Sequence, residues 1–253
     1  GIVGGGTWAT ALAKIVLETQ ERISWCLRTS THVKEFKRLG HNPTYLSDVP
    51  FNVGRIDFFE ESDVNDFLRS CDTVIQAVPS PYVKTYLKRM RNSVLRSKVV
   101  INAIKGMVPD DNLLISEYLQ QEKELPQSQI GVISGPCHAE EIAKERRSYL
   151  TIGCFDLSKA ELLSRVFTNP YVHCATSKDV IGIEYASVLK NIYAIASGIC
   201  NGMSKGDNFQ SVLISNAIAE MSSFVNVVHL LKRNVTESVY LGDLLVTAYS
   251  NHS

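Results

Sequence analysis

The feature that most limits how this chain can fold lies at its start. Gly4-Gly5-Gly6-Thr7-Trp8-Ala9 is set between the apolar pair Ile2-Val3 and a helix-patterned stretch at 9–18. Its spacing reads G-x-G-x-x-A. Between a strand and a helix, the first glycine of that pattern makes a tight turn and the second lets backbone approach a pyrophosphate. A small third residue lets helix and strand pack closely. The amides and positive dipole end at the helix start then favour a diphosphate. Gly4 and Gly6 are therefore expected to cradle a dinucleotide.

The rest of the first 176 residues supports that context. Short β-branched runs at 2–3, 22–27, 56–59, 73–78, 98–104, 129–134, 149–154 and 171–174 read as strands. Helical patterns at 9–18, 64–70, 82–90, 112–121 and 159–167 fall between them. Runs such as Val74-Ile75-Gln76-Ala77-Val78 are apolar almost throughout, as strands covered on both faces by helices are. The alternation predicts an α/β fold, a Rossmann-type doubly wound parallel sheet. Beyond Lys178 only helical periodicity remains. Tyr185, Val188, Leu189, Ile192, Ile195, Ala196 and Ile199 share one spacing, and Leu213, Ala217, Met221, Phe224, Val228 and Leu231 another. The expected organisation is a dinucleotide-binding domain over 1–178 and the first part of an all-helical domain over 179–253.

Charge narrows the function. Twenty-six Lys and Arg balance twenty-six Asp and Glu, without the basic excess of a nucleic-acid module, so no nucleic-acid partner is expected. The basic run from Lys84 to Lys98 reads as the solvated face of a helix that turns Tyr82, Tyr86, Leu87 and Met90 inward. The six cysteines show neither CxxC pairs nor zinc spacing, so no metal is expected. Cys26, Cys71, Cys154 and Cys174 sit in apolar strand-like runs, which fits reduced thiols and a cytoplasmic location. No apolar run approaches the ~20 residues of a membrane span, and no signal peptide opens the chain. A first residue other than Met reads as a start inside a longer gene product.

Three small-residue turns follow buried strands: Ala77-Val78-Pro79-Ser80, Lys105-Gly106, and Ser134-Gly135-Pro136-Cys137-His138-Ala139. Ligands of open α/β sheets bind beyond the carboxyl ends of the strands, so these turns are expected to rim one crevice. Lys105 is the only charge in 99–107 and suits an anionic or carbonyl ligand, although a lysine snorkelling at a strand end fits the same pattern. His138 reads as a first-turn helix residue beside Glu140 and Glu141. After the second strand, where NAD enzymes place an acid for the ribose, Arg28 stands instead. That tilts the expectation toward the 2′-phosphate of NADP over NAD; a plain surface arginine is equally compatible. Lys190 interrupts an apolar helix. Burial of Val188, Leu189 and Ile192 would desolvate it and lower its pKa, and Asn191 beside it can donate and accept. Asp243 and Thr247, four apart, would share a helix face.

Taken in order, these motifs resemble those of the soluble NAD(P)-dependent glycerol-3-phosphate dehydrogenases. The resemblance runs through Gly4-x-Gly6-x-Trp8-Ala9-Thr10-Ala11, Ala77-Val78-Pro79-Ser80, Lys105-Gly106, Ser134-Gly135-Pro136 and Ala139-x-Glu141. It continues through Leu189-Lys190-Asn191, Gly206-Asp207-Asn208, Ala219-Glu220-Met221 and Gly242-Asp243-Leu244-x-x-Thr247. It implies the interconversion of dihydroxyacetone phosphate and sn-glycerol 3-phosphate with NAD or NADP, supplying glycerol 3-phosphate for phospholipid synthesis. By position, Lys190 looks like the acid/base at the C2 oxygen, and Lys105 like a catalytic contact to both nicotinamide and substrate. Thr7, Trp8, Arg28, Pro79 and Ala139 match cofactor positions. Gly135, Cys137, Lys190, Asn191, Asp243, Thr247 and Ser253 match the substrate side. A phosphorylated triose is the expected partner, and a homodimer fits relatives of this architecture.

Departures accompany the match. Cys137 stands where the family usually has Ser or Thr, and Tyr240 where it usually has a small residue. The family pattern continues past Ser253 with Arg-Asn, whose arginine is expected to clamp the substrate phosphate. The chain as given is therefore expected to bind cofactor better than it turns over substrate. Two other readings share parts of the pattern. A 6-phosphogluconate-type dehydrogenase also places a lysine on the first helix of its second domain, and a non-catalytic dinucleotide sensor would keep the glycine turn. The sensor has no reason to keep Lys105, Lys190 and Asp243.

Overall fold

In the computed structural model, residues 1–249 are described. Eight strands run through them: β1 (Ile2–Val3), β2 (Ile23–Leu27), β3 (Ile56–Glu60), β4 (Thr73–Gln76), β5 (Val99–Asn102), β6 (Ile130–Ser134), β7 (Ser148–Cys154) and β8 (Val172–Ser177). The helices are α1 (Thr7–Thr19), α2 (Ser30–Leu39), α3 (Val64–Arg69), α4 (Ser80–Arg89), α5 (Asn92–Leu95), α6 (Ile115–Gln121), α7 (Ala139–Ala143), α8 (Leu157–Phe167), α9 (Val180–Gly202), α10 (Asp207–Val228) and α11 (Asp243–Tyr249).

One sheet of order β3-β2-β1-β4-β5-β6-β7-β8 holds every strand. From β1 the chain winds outward through β2 and β3, then returns to β4 on the other side of β1. That reversal opens a crevice at the carboxyl ends of β1 and β4, where open α/β sheets place their ligands. The expected doubly wound sheet is present with one correction. β7 runs antiparallel to β6, while β8 runs parallel to β7. A short buried run carries no mark of its direction, because apolar cover on both faces reads the same either way.

Two apolar layers flank the sheet. On one face Trp25 sits in an aromatic group with Phe36 (centroids 5.2 Å apart), Phe51 and Phe58, against α1. On the other face Phe67, Leu87, Leu95 and Leu119 pack over β1, β4 and β5. A third cluster joins Val180, Ile183, Ala186 and Tyr193 of α9 to Ala217, Met221 and Val225 of α10 and to Leu244. It reaches the sheet through Val132, so α9 lies directly on the strand that leads to Gly135.

The packed face of α9 differs from the apolar stripe expected of it. Ile192, Ile195 and Ile199 are exposed, and Lys190, Tyr193 and Ser197 are buried. The inward stripe is selected by polar partners: Ser197 donates to the Ala248 carbonyl at 2.9 Å, and Lys190 pairs with Asp243 at 2.5 Å. Three smaller expectations also need correction. Tyr82 is exposed on α4, although Tyr86, Leu87 and Met90 are buried as expected. Cys71 lies partly exposed between α3 and β4, outside any strand; all six cysteines are free thiols. Helix α10 is long and apolar enough, by length and composition alone, to cross a membrane, contrary to the expectation that no apolar run approaches that length. Its Ile214, Ala217, Met221 and Val225 pack into the third cluster.

Candidate active site

The glycine turn is shaped by close packing on one side and open space on the other. Gly4 takes φ of 116°, and a Cβ there would lie 2.4 Å from the Ala77 carbonyl oxygen at the end of β4. Any other residue would both strain the backbone and push β4 away. At Gly6 a Cβ would meet nothing within 4 Å. That space belongs to a cleft of about 360 Å³ lined by Gly6, Thr7, Trp8, Pro79, Lys105, Cys137 and Ala139 among others. Trp8 adds a buried indole Nε1 with no partner among the described residues, a donor left for something bound. The first turn of α1 opens on this cleft, so its free amides suit a diphosphate. The residues fit a dinucleotide.

A second cavity of about 760 Å³ adjoins on the helical side, lined by Lys105, His138, Lys190, Asn191, Asp207 and Thr247 among others. Lys105 and His138 line both cavities. His138 is a wall residue of the site, which no pattern in the surrounding sequence marks.

Lys190 and Asp243 meet at the floor, each only 2% exposed. Asp243 begins α11, and its Oδ2 also accepts from Ser134 Oγ at 3.3 Å, tying the pair to the end of β6. Burial pushes the Lys190 ammonium down; Asp243 pulls it back and the neighbouring Lys105 charge lowers it again, leaving it at about 8. The desolvation expected for Lys190 is thus present, although Ile192 is exposed and Val188 and Leu189 only half-buried. Lys105 stands open to the crevice while protein crowds its ammonium. Burial pulls its pKa down, but Asp243, Cys137 and Lys190 outweigh that and raise it above the ordinary lysine value. One lysine stays charged; the other can give up a proton near neutral pH.

The other expected residues fall into place unevenly. Cys137 is buried with its thiol donating to the Gly135 carbonyl at 3.3 Å; burial and Asp243 push that thiol up to about 12, so it remains a neutral, weak donor. Thr247 shares a helix face with Asp243 but spends its hydroxyl on the Asp243 carbonyl, at 2.7 Å. Gly135 lines neither cavity. Arg28 is exposed one residue beyond β2 and lines neither cavity. Ser253 lies outside the described residues. Among the described residues no His, Cys, Asp and Glu group could hold a metal ion.

Two polar clusters near the site had no motif to reveal them. Glu184 of α9, 2% exposed, accepts from Asn102 Nδ2 at 2.5 Å and from the backbone N and hydroxyl of Ser116. Burial lifts its carboxyl to about 7 against those donors. Asp179, before α9, accepts from the Arg233 guanidinium, from Tyr240 Oη at 2.6 Å and from Gly182 N at 3.1 Å. The hydroxyl of Tyr240 thus helps fasten the start of α9 to the segment ahead of α11.

Comparisons with known proteins agree with this geometry. The family model of the NAD-dependent glycerol-3-phosphate dehydrogenase N-terminus matches residues 1–160, and that of its C-terminus residues 179–253. A Bacillus velezensis glycerol-3-phosphate dehydrogenase [NAD(P)+] is 30% identical over 255 aligned residues, covering 100% of this chain and 72% of the relative. An Exiguobacterium protein of the same name is 29% identical, covering 100% and 73%. The crystal structure of glycerol-3-phosphate dehydrogenase from Coxiella burnetii superposes with a TM-score of 0.87 at 27% identity, over 99% of this chain and 75% of that one.

Proposed function

This chain belongs to the NAD-dependent glycerol-3-phosphate dehydrogenase family, and from that premise we propose that its two joined cavities interconvert dihydroxyacetone phosphate and sn-glycerol 3-phosphate. The observation that carries the reading is Lys105, shared between the glycine-turn cleft and the cavity over Lys190. A group at that junction can touch both cofactor and substrate. In this reading residues 1–178 hold NAD or NADP and 179–253 supply the substrate side.

With its diphosphate held at the glycine turn by Gly6 and the first turn of α1, the reduced dinucleotide would supply the hydride. Lys190, held by Asp243, donates a proton to the C2 oxygen of the ketone as that oxygen gains charge, and recovers it in the reverse direction. A pKa of about 8 keeps Lys190 mostly protonated at neutral pH yet able to lose its proton, which suits general acid–base work. Lys105, with its raised pKa, remains cationic and opposes both the developing oxyanion and the phosphate. Asn191 and Thr247 line the substrate cavity; Thr7, Trp8, Pro79 and Ala139 line the cofactor cleft. The enzyme works in the cytoplasm in this reading, supplying glycerol 3-phosphate for phospholipid synthesis, with a homodimer as its assembly.

The test follows absorbance of NADH, and separately NADPH, on adding dihydroxyacetone phosphate to the full-length protein. Oxidation that requires this phosphate is the expected outcome. Tight cofactor binding with no oxidation would overturn the reading in favour of a sensor. In the reverse assay, NADP reduction by 6-phosphogluconate and none by glycerol 3-phosphate would move the chain to the other dehydrogenase class.

A further inference from the structure

Behind the glycine turn lies a side chain that reaches no cavity. Asn42, between α2 and β3, is 0% exposed and uses its whole hydrogen-bonding capacity. Its Nδ2 donates to the Gly5 carbonyl at 3.0 Å and to Thr10 Oγ1 at 2.8 Å. Its Oδ1 accepts from the backbone N–H groups of Thr44 at 3.0 Å and Tyr45 at 3.1 Å, and lies 3.3 Å from His32 Nε2. The glycine turn, the first turn of α1, α2 and the 44–45 loop therefore meet at one buried amide. Thr10 passes the restraint on by donating to the Gly6 carbonyl at 2.9 Å. Trp25 holds the preceding peptide, with Nε1 donating to the Gly4 carbonyl at 2.7 Å.

In a trans peptide the C=O and the following N–H point opposite ways. Holding the Gly5 carbonyl on Asn42 turns the Gly6 N–H away from Asn42. That N–H makes no hydrogen bond among the described residues, and Gly6 lines the cleft. A turn of three glycines has many accessible backbone states, so an amide donor aimed before the ligand arrives must be held by something else. We infer that Asn42 is a positioning residue for the cofactor diphosphate: it never touches the nucleotide, and it fixes the Gly5–Gly6 peptide so that the Gly6 amide is ready to donate. This inference rests on the dinucleotide reading of the cleft.

The test measures competition against NAD(P)H by ADP-ribose, which carries the diphosphate, and by adenosine, which does not. In Asn42→Leu the inhibition constant of ADP-ribose should rise about tenfold, as expected for a buried carbonyl left unpaired and a donor no longer aimed. That of adenosine should hold. The rise in KM should fall on the cofactor and spare dihydroxyacetone phosphate. Thr10→Val, close in shape, should give a milder form of the same selective loss, and Thr10→Ser, which keeps the hydroxyl, should restore binding. These variants keep the question open to refutation should Asn42→Leu fail to fold. Equal losses for the two competitors, or no loss for ADP-ribose, would overturn the inference. Wild-type protein that binds neither NADH nor NADPH would instead bring down the dinucleotide reading, and the positioning role with it.

Discussion

Replacing Asp243 by Asn removes a charge 2.5 Å from Lys190 and leaves the side chain almost the same shape. Both partners are 2% exposed, so the loss is not screened by solvent. Removing one side of a buried ion pair costs about 3–5 kcal/mol, or roughly 2–4 pKa units at about 1.4 kcal/mol each. Lysine answers such a cost by losing its proton. Lys190 should fall from about 8 to roughly 4–6, and its protonated fraction at pH 7 from about nine-tenths to roughly 10% or less. Reduction of dihydroxyacetone phosphate needs the protonated form. Its kcat/KM at pH 7 should therefore drop by about 10- to 1,000-fold from this cause alone. The assay is kcat/KM for the ketone between pH 5 and 9.5, at saturating NAD(P)H, for wild type and Asp243→Asn. In wild type the reductive rate should decline as pH rises through about 8. In the variant that limb should move several units toward acid, with activity partly recovered at the lowest pH. A variant limb that stays near 8, or a loss equal at every pH, would refute the electrostatic link between the two residues.

Arg28→Ala should weaken NADPH about tenfold or more while sparing NADH, if the guanidinium makes a charge-assisted contact to the 2′-phosphate; equal effects in both titrations would show a surface arginine. Glu184 makes a separate prediction about stability. Its folded pKa of about 7 lies above the ordinary 4.5, so the folded state holds a proton that the unfolded chain releases. The stabilisation is full below pH 4.5 and is lost as pH rises through 7, a change of about 3 kcal/mol. Urea midpoints of wild type should therefore fall relative to Glu184→Gln between pH 5 and 8, and parallel curves would contradict it.

Much of this fold could be read before the structure. All eight strands lie where apolar β-branched runs place them, and the inner strands β1, β2, β4, β5 and β6, covered on both faces, have few alternatives. Helix α2 is absent from the expected helices because its apolar face is short and mostly polar residues surround it, with only Phe36 of its ten residues buried. The direction of β7 was hidden for want of any directional signal. The face of α9 was misjudged for an instructive reason. Hydropathy favoured Ile192, Ile195 and Ile199, but it does not count the partners that receive a buried lysine and a buried serine, here Asp243 and the Ala248 carbonyl. The glycine turn, Lys105, Lys190 and Asp243 were legible as motifs. Asn42, Glu184 and the Asp179–Arg233 pair were not, since their partners lie tens of residues away and no spacing rule connects them.

The most direct measurement compares wild type with Lys190→Ala in two readouts, NAD(P)H dissociation constant and single-turnover reduction of dihydroxyacetone phosphate. A lost proton donor should slow the chemical step about 10²- to 10⁴-fold with the cofactor constant unchanged, because Lys190 lines the substrate cavity and not the cofactor cleft. A variant that still reduces the ketone at the wild-type rate would contradict the role given to Lys190 at the centre of this site.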